Sequence, residues 1–104
     1  MARLTAEAAN QVRTLTRHFL RLERPEAAKR LTQTVHQAQS SVDDPALRWF
    51  PAPRPHPQLA RLGFRWIKLH RYWVAFRIER NGETLIHHVL DETTDIPARF
   101  GPDR

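Results

Sequence analysis

The order of apolar and polar positions divides the chain into stretches of different period. Between residues 5 and 22, apolar side chains recur at steps of three and four: Ala8, Val12, Leu15, Phe19 and Leu22. That spacing predicts a helix with one apolar stripe. Thr5 suits its N-cap, and Glu7 in the first turn suits the positive end of the helix dipole. Pro25 breaks the chain and fits the first turn of a second helix. The second stripe is Ala28, Leu31, Val35, Ala38 and Val42, and Asp43-Asp44-Pro45 ends it. Two such stripes predict an antiparallel helical hairpin lying over a sheet. Met1 to Leu4 is a candidate for a very short strand.

From residue 63 the period becomes two. The run GFRWIKLHRYWVAFRIERNGETLIHHVL alternates and is rich in aromatic and β-branched residues. It predicts a three-stranded antiparallel meander. Asn81-Gly82 fits a two-residue type I′ turn, which needs positive φ at both central positions. That turn sets Arg80 opposite Glu83, Arg77 opposite Ile86, Phe76 opposite His87 and Ala75 opposite His88. A three-residue turn over Leu69, His70 and Arg71 sets Trp66 opposite Val74 and Arg65 opposite Ala75. One face then carries Phe64, Trp66, Tyr72, Val74, Phe76, Ile78, Leu85, His87 and Val89, and is the expected core. The other carries Arg65, Ile67, Trp73, Arg77 and His88, with Ala75 a small floor between Arg65 and His88. This second face is expected to be open, and it is where function is sought.

The expected fold is therefore α+β: an N-terminal two-helix hairpin packed on a three- to four-stranded antiparallel sheet. One domain is expected over residues 1–104. It comprises a short strand and helical hairpin over 1–42, a Pro-rich connector over 43–62, the meander over 63–90 and a tail over 91–104. Five of the eight prolines fall between residues 45 and 57. Alternating proline cannot pair in a central strand and favours extended geometry, so the connector is expected to wrap the domain. Its Trp49 and Phe50 are expected to tuck against the edge.

Composition narrows the function. The net charge of +6 is uneven: +4 over residues 1–42, +5 over 43–80 and −3 over 81–104. A basic balance concentrated on the strands suggests an anionic partner, nucleic acid or an acidic protein. The absence of cysteine excludes disulfides and thiolate metal sites and fits a cytoplasmic location. No apolar run approaches membrane-spanning length.

Six histidines invite a metal. However, the one adjacent pair, His87-His88, is expected to point to opposite faces of its strand, so no metal and no cofactor are expected. Asp91, Glu92 and Asp95 read as an acidic loop or as salt-bridge partners for nearby arginines. There is no Gly-rich phosphate loop, nucleophile elbow or HExxH helix.

Arg65, Arg77 and His88, with Trp73 beside them, combine phosphate-binding forks, a titratable imidazole and a stacking surface. An RNA-cleaving site needs such groups: a base for the 2′-hydroxyl, cations for the developing charge, an acid for the leaving oxygen. The simpler reading is that an exposed sheet face must be polar in any case. With Lys68 and Arg71, the residues Arg65, Trp73 and Arg77 form the candidate target- or nucleic-acid-binding set.

The layout resembles the RelE/ParE toxins of bacterial type II toxin–antitoxin systems over about residues 3–100. Gly63-Phe64-Arg65, the strand Arg71-Tyr72-Trp73-Val74-Ala75-Phe76-Arg77 and the ending Asp95-Ile96-Pro97-Ala98-Arg99 carry the resemblance. It implies a small α+β toxin and a cognate antitoxin whose acidic or amphipathic C-terminal segment wraps it, hence a hetero-oligomer. RelE-type members cut mRNA on the ribosome; ParE-type members inhibit DNA gyrase. Arg65 sits where RelE-type toxins have a catalytic lysine. Ile67 stands at the second lysine and Trp73 at an arginine, and Asp91-Glu92-Thr93-Thr94 replaces further basic or tyrosine residues. These departures favour growth inhibition by binding, gyrase first. A ribosome-dependent mRNA endonuclease using Arg65, Arg77 and His88 is the alternative, and a non-toxic nucleic-acid-binding module is another.

Overall fold

The computed structural model describes residues 1–101. Strand β1 (Arg3–Leu4) leads into helix α1 (Ala6–Arg21) and helix α2 (Pro25–Ser41). A connector with a 3-10 turn at Pro57–Leu62 follows. Strands β2 (Arg65–Leu69), β3 (Tyr72–Ile78) and β4 (Thr84–Asp91) and a 3-10 turn at Pro97–Phe100 complete the fold. The sheet order is β1-β4-β3-β2. The α+β arrangement is the expected one, with β2, β3 and β4 antiparallel and β1 added parallel to β4.

Thr5 begins α1 as its composition suggests. Its hydroxyl accepts the Ala8 N–H at 3.2 Å, satisfying one of the free donors at the helix start. The same residue ties the helix to the sheet, since its own N–H donates to Ile86 O at 2.9 Å. Pro25 occupies the first turn of α2, where its missing N–H costs nothing. All five members of the α2 stripe are buried. In α1 the stripe holds through Phe19 but not beyond: Leu22 is the C-cap and is 53 % exposed.

Both hairpin turns differ from expectation, and the differences decide which side chains share a face. Strands β2 and β3 join through two residues, His70 and Arg71, with Leu69 opposite Tyr72. Trp66 therefore faces Ala75, and Arg65 faces Phe76. The three-residue turn had Trp66 against Val74 and Arg65 against Ala75; a slip of one residue moves the whole of β2 to the opposite face. The β3–β4 turn is longer than the type I′ loop. Glu79 N–H donates to Glu83 O, Gly82 N–H donates to Glu79 O, and Gly82 alone has positive φ, at 84°. This is a three-residue loop with glycine in the left-handed position. It pairs Arg77 with Leu85 and Phe76 with Ile86. A bulge then inserts His87, so that Ala75 does face His88.

With these registers the sheet buries both faces. Ile67, Tyr72, Val74, Phe76, Ile86 and Val89 pack under the helices with Phe19, Leu31 and Val35. Trp66, Trp73, Ala75 and Leu90 form a second cluster on the other side with Ala52, Leu59 and Ile96. The expected open face is therefore covered. The connector lies across it, and the segment after β4 closes the rest. Phe50 and Trp66 exchange N–H···O bonds, both 2.8 Å, so the connector also protects the outer edge of β2. Trp66 and Trp73, 0 % and 4 % exposed, contribute apolar burial worth about 1.5–3 kcal/mol each.

Candidate functional site

The expected site residues fall into three separate places. Arg65 lies on the helix side of the sheet, with its guanidinium 4.6 Å over the ring of Trp49. Arg77 and His88 lie on the other side, so the row Arg65–Ala75–His88 does not form. Trp73 is inside the second core, not on a surface. Trp49, in contrast, is 43 % exposed.

The second place is an aromatic box around His88. Phe64 stands 5.3 Å from the His88 ring, and Phe100 stands 4.8 Å from it, both edge-on. Phe64 also lies 5.2 Å from His87. The bulge thus turns both histidines toward one side, contrary to the rule of opposite faces for strand neighbours. They still do not converge on a metal: His87 Nε2 is 3.0 Å from Glu79 Oε1, and no metal-binding cluster of three such groups exists among the described residues. Arg77 covers the box, its guanidinium 4.3 Å over Phe64, and donates to Leu62 O at 3.0 Å.

His88 is held in one protonation state. Gln11 Oε1 accepts the Val89 N–H at 2.8 Å, which fixes the orientation of the amide. Its Nε2 then faces His88 Nδ1 at 3.0 Å and must donate to it. The ring is the neutral tautomer with its proton on Nε2. The His88 pKa lies at about 4, down from 6.5: burial is the main cause, Glu7 opposes it, and His87 and Arg77 add smaller lowering contributions.

The third place is the strand-end cluster. Asp91 Oδ2 takes Arg71 Nη2 at 2.9 Å, and Asp91 Oδ1 accepts the Thr93 N–H and hydroxyl at 2.9 and 2.8 Å. Burial raises the Asp91 carboxyl, but the Thr93 and Arg71 contacts outweigh it and hold the pKa below the usual range. Lys68 pairs with Glu92. Asp91 and Glu92 are thus salt-bridge partners, as the acidic loop suggested. A hollow of about 400 Å³ beside them is bounded by Arg54, His56, Lys68, Trp73 and Glu92.

Sequence reasoning missed Gln11, Phe64 and Phe100 as organisers of the histidine environment. The alternation of β2 places Phe64 on the expected core face, whereas it packs beside His87 and His88 on the other side. Gln11 and Phe100 gave no local signal, because their contacts span 77 and 12 residues. Chemically, the arrangement offers an imidazole kept neutral with Arg77 beside it, while Arg65, Lys68 and Arg71 lie elsewhere with partners of their own.

Among the described residues, no helix is long and apolar enough to cross a membrane. No curated protein gives a significant match. Residues 2–96 match the family described as ParE toxin of type II toxin-antitoxin system, parDE. The short parallel strand, the helical hairpin and the antiparallel sheet all lie within that span, and the chain belongs to the ParE toxin family.

Proposed function

We propose that the protein inhibits growth by binding a macromolecular target, DNA gyrase, rather than by cutting RNA. The observation that carries this reading is the separation of Arg65 from His88 by the thickness of the sheet. Cleavage by these residues needs a proton-transfer group and a phosphate-binding cation within reach of the same scissile bond. Here the imidazole is boxed by Phe64 and Phe100, its Nδ1 is occupied by Gln11, and Arg77 beside it is engaged by the Phe64 ring and Leu62 O. Lys68 and Arg71 are each engaged by a carboxylate. The ParE family supports the same reading, since ParE-type members inhibit gyrase. As a type II toxin the protein has a cognate antitoxin partner. The surface proposed to meet the target includes Lys68, Arg71 and the rim beside Trp73, with Arg77 further along the same side of the sheet and Arg65 outside it, on the opposite side.

The test is to express the wild type and the Arg65→Ala and His88→Ala variants in cells, map mRNA ends, and assay gyrase supercoiling in parallel. Lost supercoiling with intact mRNA is the expected result. Codon-phased mRNA cuts that vanish in both variants, with supercoiling untouched, would establish the endonuclease reading instead.

A further inference from the structure

A cavity of about 290 Å³ opens at the junction of the two hairpins. Arg24, Arg30, His70 and Arg71 line it, over apolar walls that include Phe19 and Tyr72. Among the described residues, no carboxylate lines it. Among the described residues, Arg24 and Arg30 have no salt-bridge partner. Arg71 is oriented from behind by Asp91, and its buried Nε makes no hydrogen bond within the protein.

The backbone gives a second, independent observation. Among the described residues, only two non-glycine residues have positive φ, Glu23 and His70, both at 55°. Each immediately precedes an arginine of the cavity. Glu23 holds the position after the α1 C-cap that usually takes glycine: its N–H donates to Leu20 O, and Arg24 N–H donates to Phe19 O. This places the Arg24 guanidinium 5.7 Å over the Phe19 ring. His70 is the first central residue of the two-residue β2–β3 turn, where positive φ again favours glycine. Left-handed backbone at non-glycine residues is costly and clusters where a chain positions ligand-binding groups. Here both instances deliver an arginine to one cavity.

We infer that this cavity binds a small phosphate monoester, with the phosphoryl group held by Arg24, Arg30 and Arg71 and the organic portion against Phe19 and Tyr72. Charge selects phosphate over carboxylate. Three guanidinium groups less the Asp91 carboxylate leave an excess near +2. A phosphate monoester carries about −1.5 to −2 at neutral pH, whereas a carboxylate carries half that. The guanidinium fork also matches phosphate oxygens in pairs. The partly enclosed shape suits a terminal phosphate more than a continuous phosphodiester backbone. The volume is at the small end of ligand sites, which fits a nucleoside monophosphate and not a larger cofactor. The site shares Arg71 with the surface proposed to meet the target, but Arg24 and Arg30 lie outside that surface, on the helix side of Tyr72, so their variants test this site alone.

The test uses the full chain with inorganic phosphate, adenosine 5′-monophosphate, adenosine and acetate, read by thermal shift and isothermal titration. Adenosine 5′-monophosphate at about ten times its Kd should raise Tm by about 5 °C or more. Inorganic phosphate should bind more weakly, and adenosine and acetate should give no shift. Arg30→Ala and Arg24→Ala should each weaken binding by about 10-fold or more. Lys29→Ala, which removes the same charge from α2 outside the cavity, should leave binding unchanged. Arg30 is exposed and unpaired, so its variant should fold, as judged by circular dichroism and the unliganded Tm. Absence of a shift with both phosphate ligands overturns the inference. So does binding of adenosine as tight as that of its monophosphate, or equal losses in Lys29→Ala and Arg30→Ala.

Discussion

The side-chain amide of Gln11 holds His88 and the adjoining backbone together: its Nε2 lies 3.0 Å from His88 Nδ1, and its Oε1 accepts the Val89 N–H at 2.8 Å. A helix side chain thus takes the place of a neighbouring strand along this part of β4. Gln11→Glu keeps the acceptor for Val89 but sets a carboxylate oxygen against Nδ1. Protonated His88 can donate to that oxygen, so its pKa should rise from about 4 by about 1–3 units. Histidine titration by NMR measures this directly, and a midpoint that stays near 4 would contradict the assigned tautomer.

Acid should destabilise the protein in two steps. The folded state keeps His88 neutral while the unfolded chain protonates it, so the unfolded state binds more protons as pH falls from 6.5 toward 4. Stability should fall through that window. Asp91, held below its usual 3.8, adds a second loss at lower pH, where the unfolded chain protonates first. His88→Leu should remove the first step and keep the second, as urea midpoints measured across pH would show.

The two cores can be weighed against each other. Phe76→Ala beneath the helices and Trp73→Ala beneath the connector should each cost about 3–5 kcal/mol, because both truncate a buried aromatic ring. Arg77→Ala removes one hydrogen bond and a ring contact and should cost about 1–2 kcal/mol. Denaturant titration of the three variants provides the comparison. A mild Trp73→Ala would mean that the connector does not seal the second face.

Phe100 closes the aromatic box from the C-terminal side, with its ring 6.1 Å from Trp66 and 4.8 Å from His88. Phe100→Ala should admit water to both. Tryptophan emission should shift to the red, and the His88 pKa should move up toward 6.5 as its desolvation is relieved. Unchanged emission together with an unchanged titration would place the cause of the depressed pKa elsewhere.

The elements whose signals are local can be read from the residues alone. The Thr5 cap, the Pro25 start and the apolar stripes of both helices depend on neighbours within a turn or two, and period-two alternation marked all three long strands. Asp91 and Glu92 also followed from local charge, as partners for nearby cations. The register and the faces did not follow. They hang on two turns and a bulge, and neither His70-Arg71 nor Asn81-Gly82 adopts the turn that its residue types suggest. Period-two alternation says which side chains of one strand agree with each other, but not which face they occupy. That choice comes from long-range packing, because the connector and the segment after β4 supply a second apolar layer where water is expected. With that layer in place, Trp66 and Trp73 can lie opposite the helices, Arg65 moves to the helix side, and His88 is boxed between aromatic rings instead of facing an open site.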